Sequence, residues 1–163
     1  MSEIRKILVG IDYSEYSRVA AGQAIKIAQS LDAEVIFLHV CELATFLGSS
    51  YGAYNRPLIK NFLEQQEELV SNSMGDLEEF VKEFSDSGVP MRMMTEKGYP
   101  YIELIRVIEH ENVDLVVVGK HGKSGMKKIF IGSVAEKLVR KSPCSVLVVK
   151  IPTLIEQEEK EEE

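Results

Sequence analysis

The chain has no tryptophan, two cysteines and five prolines among 163 residues, and only 7% of it is aromatic. Two cysteines cannot staple a disulfide-built scaffold. Cys41 and Cys144 also lie too far apart for a C-x-x-C pair or a metal knuckle, so they read as small buried hydrophobes in a reducing, cytoplasmic compartment. Long apolar runs are missing as well. Stretches such as Leu115-Val116-Val117-Val118 fall far short of the roughly 20 residues that a membrane span needs, and no apolar signal core follows Met1. Basic charge is the scarcer sign, with 19 Lys+Arg against 26 Asp+Glu and a net charge of −7. That balance argues against a basic nucleic-acid coat. Apolar residues are plentiful at 45%, enough for one domain with a real core.

The charge is unevenly spread. Residues 119–141 hold 7 basic groups and 1 acidic group, for a net +6 inside an acidic protein. The segment 156–163 is a low-complexity acidic tail. The expected division is one folded domain over 1–152 and a disordered acidic tail over 153–163.

Periodicity supplies the elements. Ile4–Ile11, Glu34–Val40, Val89–Glu96, Asp114–Gly119 and Ser145–Lys150 are apolar, β-rich runs of the kind buried on both faces of a parallel sheet. Between them, helical spacing predicts helices over Glu15–Leu31, Leu58–Ser85, a stretch opened by Pro100, and Ser133–Lys141. Expected apolar faces are Phe62, Leu69, Leu77, Phe80, Val81 and Phe84 on the long helix, and Ile102, Ile105 and Ile108 on the next. Gly75 is expected to weaken or kink the long helix. Residues 41–57 lack clear periodicity, and Tyr51 and Tyr54 there are candidates to stack on a base or to pack the loop. Alternating strands and helices imply one open parallel five-stranded α/β sheet with helices on both faces.

The fourth strand ends at Gly119, followed by Lys120-His121-Gly122, nine residues, then Gly132-Ser133. This G-x2-G-x9-G-S spacing runs from a buried strand to a helix start. Glycines allow close backbone approach. N–H groups at Gly132, Ser133 and Val134 have no partner within the helix, and the helix dipole favours an anion there. Lys120, Lys123, Lys127 and Lys128 raise the local potential. A polyphosphate suits such a site, although neither G-x4-G-K-S/T nor G-x-G-x-x-G is present. In open parallel sheets ligands bind beyond the strand ends where the order reverses. If the first and fourth strands are neighbours there, Asp12 faces the glycine segment. Its carboxylate suits ribose hydroxyls or a divalent ion, and Val40 offers backbone groups to an adenine edge. The plainer alternatives are Asp12 as a helix-entry residue, Ser133 as an N-cap and the lysines as a solvated face. His121 reads as a loop side chain or phosphate contact rather than a catalytic acid. His39 reads as a satisfied core histidine, and His110 as a helix-end charge.

These residues resemble the universal stress protein family, in its ATP-binding subclass. The resemblance spans Lys6 to Val149. It rests on Ile7-Leu8-Val9-Gly10-Ile11-Asp12 with Ser14, on His39-Val40, on Gly98-x-Pro100, on Asp114 to Gly119, on the complete G-x2-G-x9-G-S and on Pro143-Cys144-Ser145-Val146-Leu147-Val148-Val149. Two departures are Ser145, where the family usually has proline, and Lys120, where it commonly has a small residue. The resemblance implies a Rossmann-like sheet in order 3-2-1-4-5 and an ATP site. Gly122, Gly132 and Ser133 would hold phosphates, with the Val134 N–H. Asp12 would lie near ribose or a magnesium or manganese ion. Val40 would meet adenine, with Ile11 lining the same pocket, and Val118 and Gly119 would flank the nucleotide. It also implies a homodimer paired through the last strand. The expected function is a dimeric, ATP-dependent regulatory module acting on a protein partner. The alternative is a slow magnesium-dependent ATPase or phosphoryl-transfer enzyme using Asp12, with His121 or a lysine stabilising charge.

Overall fold

Strand β1, Lys6–Ile11, occupies the centre of the sheet and is almost wholly buried. In this computed structural model residues 3–42, 56–122 and 131–151 are described. The expectations placed on Tyr51, Tyr54, Lys123, Lys127, Lys128 and the 156–163 tail lie outside them. The other strands are β2 (Glu34–Glu42), β3 (Met91–Gly98), β4 (Leu115–Gly119) and β5 (Ser145–Val149). All pair in parallel, in the order β3-β2-β1-β4-β5. This is the Rossmann-like order that the resemblance implied.

Helices cover both faces, as the alternation of elements requires. Side chains along a strand alternate between faces, so β1 splits its run. Ile7 and Val9 join α1 (Glu15–Leu31) and α2 (Arg56–Val81) in one core, with Phe37, Leu77 and Phe80. Leu8 joins α3 (Pro100–Glu111) and α4 (Ser133–Lys141) in the other, with Ile36, Leu38, Leu104, Val116 and Leu138.

Local chemistry fixes the ends of the helices. Ser14 caps α1, its hydroxyl accepting from the Ser17 N–H at 3.2 Å. Asp32 closes α1 in the left-handed region with φ 55°. Pro100 opens α3, where its missing N–H costs nothing. A 3-10 turn, Lys82–Ser87, continues α2 and ends at Gly88 with φ 73°. At the strand starts, Arg92 donates to Glu111 and holds that carboxyl below the usual carboxylate range.

Four expectations shift. The long helix passes through Gly75 without interruption. Leu69 lies outside its buried face, being 63% exposed, because only the last turns of α2 reach the sheet at Leu77, Phe80 and Val81. On α3, Ile102 is 44% exposed, and Leu104, Val107 and Ile108 do the packing. β3 begins and ends two residues later than the apolar reading suggested, since an edge strand paired only to β2 does not need a continuous apolar run.

Candidate functional site

The sheet order reverses between β1 and β4. The chain leaves β1 towards β2 and β3 on one side, and β4 leads to β5 on the other. The carboxyl ends of β1, β2 and β4 open there into a cleft of about 570 Å³, within the usual range for small-molecule sites. All ten candidate residues line it: Ile11, Asp12, Val40, Val118, Gly119, His121, Gly122, Gly132, Ser133 and Val134.

The floor near β1 is set by a strained turn. Tyr13 adopts φ 63°, a left-handed conformation that a bulky residue holds only against an opposing cost of about 1–3 kcal/mol. Its ring is gripped by His39 at 4.6 Å between centroids and by Phe80 at 5.8 Å. Burial pushes the Tyr13 phenol up to about 12, with Asp76 and Cys41 adding to the shift. His39 in turn bonds the Ile11 carbonyl through Nδ1 at 2.8 Å, the satisfied role expected of it. The turn aims Asp12 in two directions. Its Oδ1 accepts from the Ser14 N–H at 2.9 Å and from the Ser14 hydroxyl at 2.5 Å. Its Oδ2 faces Gly122, where an added Cβ would stand only 2.6 Å away. Asp12 therefore orders the helix entry and also fronts the cleft.

The opposite wall is the glycine segment. Gly119 lies so close to α1 that a Cβ would fall 2.6 Å from Tyr16 Cβ and 2.9 Å from its carbonyl carbon. Lys120 N–H bonds the Val149 carbonyl at 2.8 Å, and Gly132 N–H bonds the Lys120 carbonyl at 2.7 Å. That second bond engages the Gly132 N–H, expected from the sequence as an open donor, and holds the start of α4 beside Lys120 at the cleft. Gly132, not Ser133, is the N-cap residue, and among the described residues no side chain caps this end. The N–H groups of Ser133 and Val134 thus keep the donor character of a helix start, and the Ser133 hydroxyl lies outside the capping position. His121 is half-buried rather than exposed, with its ring edge-on to Tyr16 at 5.2 Å. His110 stands at the end of α3, remote from the cleft, 3.5 Å from Glu111. Among the described residues, no group of three or more His, Cys, Asp or Glu stands together. No described helix is long and apolar enough to cross a membrane.

A family model described as the universal stress protein family matches residues 3–150. The chain belongs to the universal stress protein family. Universal stress protein MJ0531 of Methanocaldococcus jannaschii is 34% identical over 149 residues, covering 91% of this chain and 83% of that protein. Universal stress protein MJ0577 of the same organism is 32% identical over 156 residues, covering 90% and 94%. The solved structure of MJ0577 matches this fold with a TM-score of 0.72 and 29% identity, covering 92% of this chain and 98% of that one. A universal stress protein solved in complex with cAMP has the same fold, with a TM-score of 0.59, 23% identity and coverage of 91% and 98%.

Sequence reasoning missed seven residues that line the cleft of this universal stress protein: Gly10, Ser17, Leu38, Glu42, Pro100, Leu104 and Ala135. Three of them carried a signal. Leu38 and Glu42 are two residues either side of Val40 on β2 and so share its face. Leu104 sits one helical turn after Pro100.

Proposed function

We propose that the cleft binds ATP and that the protein is a nucleotide-loaded regulatory module of the cytoplasm, dimeric through the edge of β5. One observation carries the reading. The glycine-started N-terminus of α4, with its backbone donors, shares a single cleft with the Asp12 carboxylate and with apolar side chains of β2 and β4. Phosphates suit the α4 end, where donors and the helix dipole coincide. Ribose hydroxyls suit Asp12, and a base suits the apolar side near Val40. The +6 charge of residues 119–141 favours a polyanion. The relative in complex with cAMP shows that a protein of this fold accommodates an adenine nucleotide.

Asp12 also fits a magnesium or manganese ion. Such ions are held through one or two carboxylates together with substrate phosphates, not by an all-protein cage. A bound ion would neutralise charge between Asp12 and the phosphates. The dimer reading rests on β5, an edge strand whose Val146, Leu147 and Val148 are only partly covered.

The test is direct. The purified protein is denatured, and the released small molecules are identified by mass spectrometry. ATP in near-equal ratio to protein is expected. Failure to release a nucleotide, together with failure of the emptied protein to take up added ATP, overturns the reading.

A further inference from the structure

The apolar half of the cleft carries one charged side chain that the site described so far does not use. Leu38, Val40 and Glu42 stand at alternate positions of β2, leave the same face of the sheet and all line the cleft. Leu38 and Val40 are buried, and Glu42 stands exposed at the mouth. Pro100 and Leu104 of α3 and Val118 of β4 complete this half.

The register shows how the end of β2 is presented. Pairing with β1 stops at Ile11↔His39, whereas pairing with β3 continues through Val40↔Glu96 and Cys41↔Lys97 to Glu42↔Gly98. β2 therefore overhangs β1 by three residues, Val40–Glu42. Past the last β1 pair, the overhang borders the space above Asp12. β2 and β4 flank β1, so they lie about 10 Å apart at the usual strand spacing. A ligand with phosphates at α4 and its sugar above Asp12 brings the far edge of its base to this overhang.

Resting on the nucleotide reading above, we propose that Glu42 determines base specificity by accepting a hydrogen bond from the exocyclic amine of adenine. An ionised carboxylate only accepts hydrogen bonds. It matches an amine at that edge and opposes a carbonyl oxygen in the same place. Charge-assisted bonds of this kind are the strong ones. The neighbouring Val40 and Leu104 add no side-chain acceptor there, so the competing partner for the base edge is the backbone of the β2 overhang.

Inosine triphosphate is the matched probe, because it carries an oxygen where ATP carries the amine. Isothermal titration compares ATP, inosine triphosphate and GTP on the intact protein emptied of nucleotide, and on Glu42→Gln and Glu42→Ala. The wild type is expected to bind ATP about tenfold tighter than inosine triphosphate. Both variants are expected to reduce that ratio below about threefold, with Glu42→Gln gaining affinity for inosine triphosphate because its amide can donate. Melting temperatures check that the exposed substitutions leave the fold intact. An unchanged ATP preference in both variants overturns the role of Glu42 and leaves the ATP site standing. Wild-type preference for GTP, or equal affinity for ATP and inosine triphosphate, also overturns it. Binding of no nucleotide by the wild type overturns the site itself together with this inference.

Discussion

Replacing Gly122 with alanine separates the cleft from the scaffold that carries it. The new Cβ would stand 2.6 Å from Asp12 Oδ2, while ordinary contact begins at 3.4 Å, so the two must part by about 0.8 Å. Asp12 is pinned on its other oxygen by the Ser14 N–H and hydroxyl. Hydrogen bonds to a charged group are worth about 1.5–3 kcal/mol, and this half-buried one belongs at the lower end. For a chain of 163 residues, a loss of about 1.5 kcal/mol lowers Tm by roughly 3–6 °C. ATP affinity should fall at least tenfold, since Asp12 and the glycine segment are the two sides of the cleft. Gly119→Ala is the contrast. Its Cβ would fall 2.6 Å and 2.9 Å from Tyr16 Cβ and carbonyl carbon. The obstacle there includes backbone of α1, so the cost is overpacking of about 1–3 kcal/mol or more, felt first in Tm. Differential scanning fluorimetry and titration calorimetry on both variants separate the effects. Gly122→Ala with unchanged Tm and unchanged ATP affinity would refute the close approach of Asp12 to Gly122.

Other outcomes follow from the same geometry. Ser133→Ala should leave Tm within a degree or two, because Ser133 is not the cap, while weakening ATP about fivefold through one lost donor; equal affinity by calorimetry removes its hydroxyl from the site. Leu77→Ala, fully buried against the sheet, should cost about 2–5 kcal/mol in urea unfolding, whereas Leu69→Ala, 63% exposed on the same helix, should cost under about 0.5 kcal/mol. Equal losses would show that α2 packs along its whole length. One tyrosine, Tyr13, should ionise only near pH 12 in an ultraviolet titration. Since the unfolded phenol ionises near pH 10, the stability this residue contributes is intact below that pH and is lost as pH rises towards 12 and beyond. Tyr13→Phe should remove that alkaline loss, and a loss of equal size in the variant would assign it elsewhere.

Where chemistry is local, the sequence reads well. The bounds of α1 follow from Ser14 as cap, and those of α4 from the glycine before Ser133 and the basic residues at its end. The buried runs of β1 and β4 announce strands covered on both faces. Their adjacency, which sets Asp12 across from Gly122, followed once the family pattern supplied the strand order. Distance along a helix is harder to read. Leu69 and Leu77 lie on one helix, but periodicity does not say where α2 runs past the sheet. Gly119 shows a different limit. Its place in the motif suggested a role towards ligand, while the close approach of Tyr16 gives it a second role that no pattern in the chain reveals. Glu42 lies beyond the apolar run Glu34–Val40 that marks the strand, although strand alternation from Val40 places it on the same face.

The central claim is that nucleotide binds where β1, β2 and β4 end and α4 begins. It is tested most directly by titrating ATP into the isotopically labelled protein and following backbone amide resonances. The account predicts saturable shifts concentrated at Ile11–Asp12, Val40–Glu42, Val118–Gly122 and Gly132–Ala135, with the strand starts near Glu111 unmoved. Shifts centred elsewhere, or none at millimolar ATP, would contradict it.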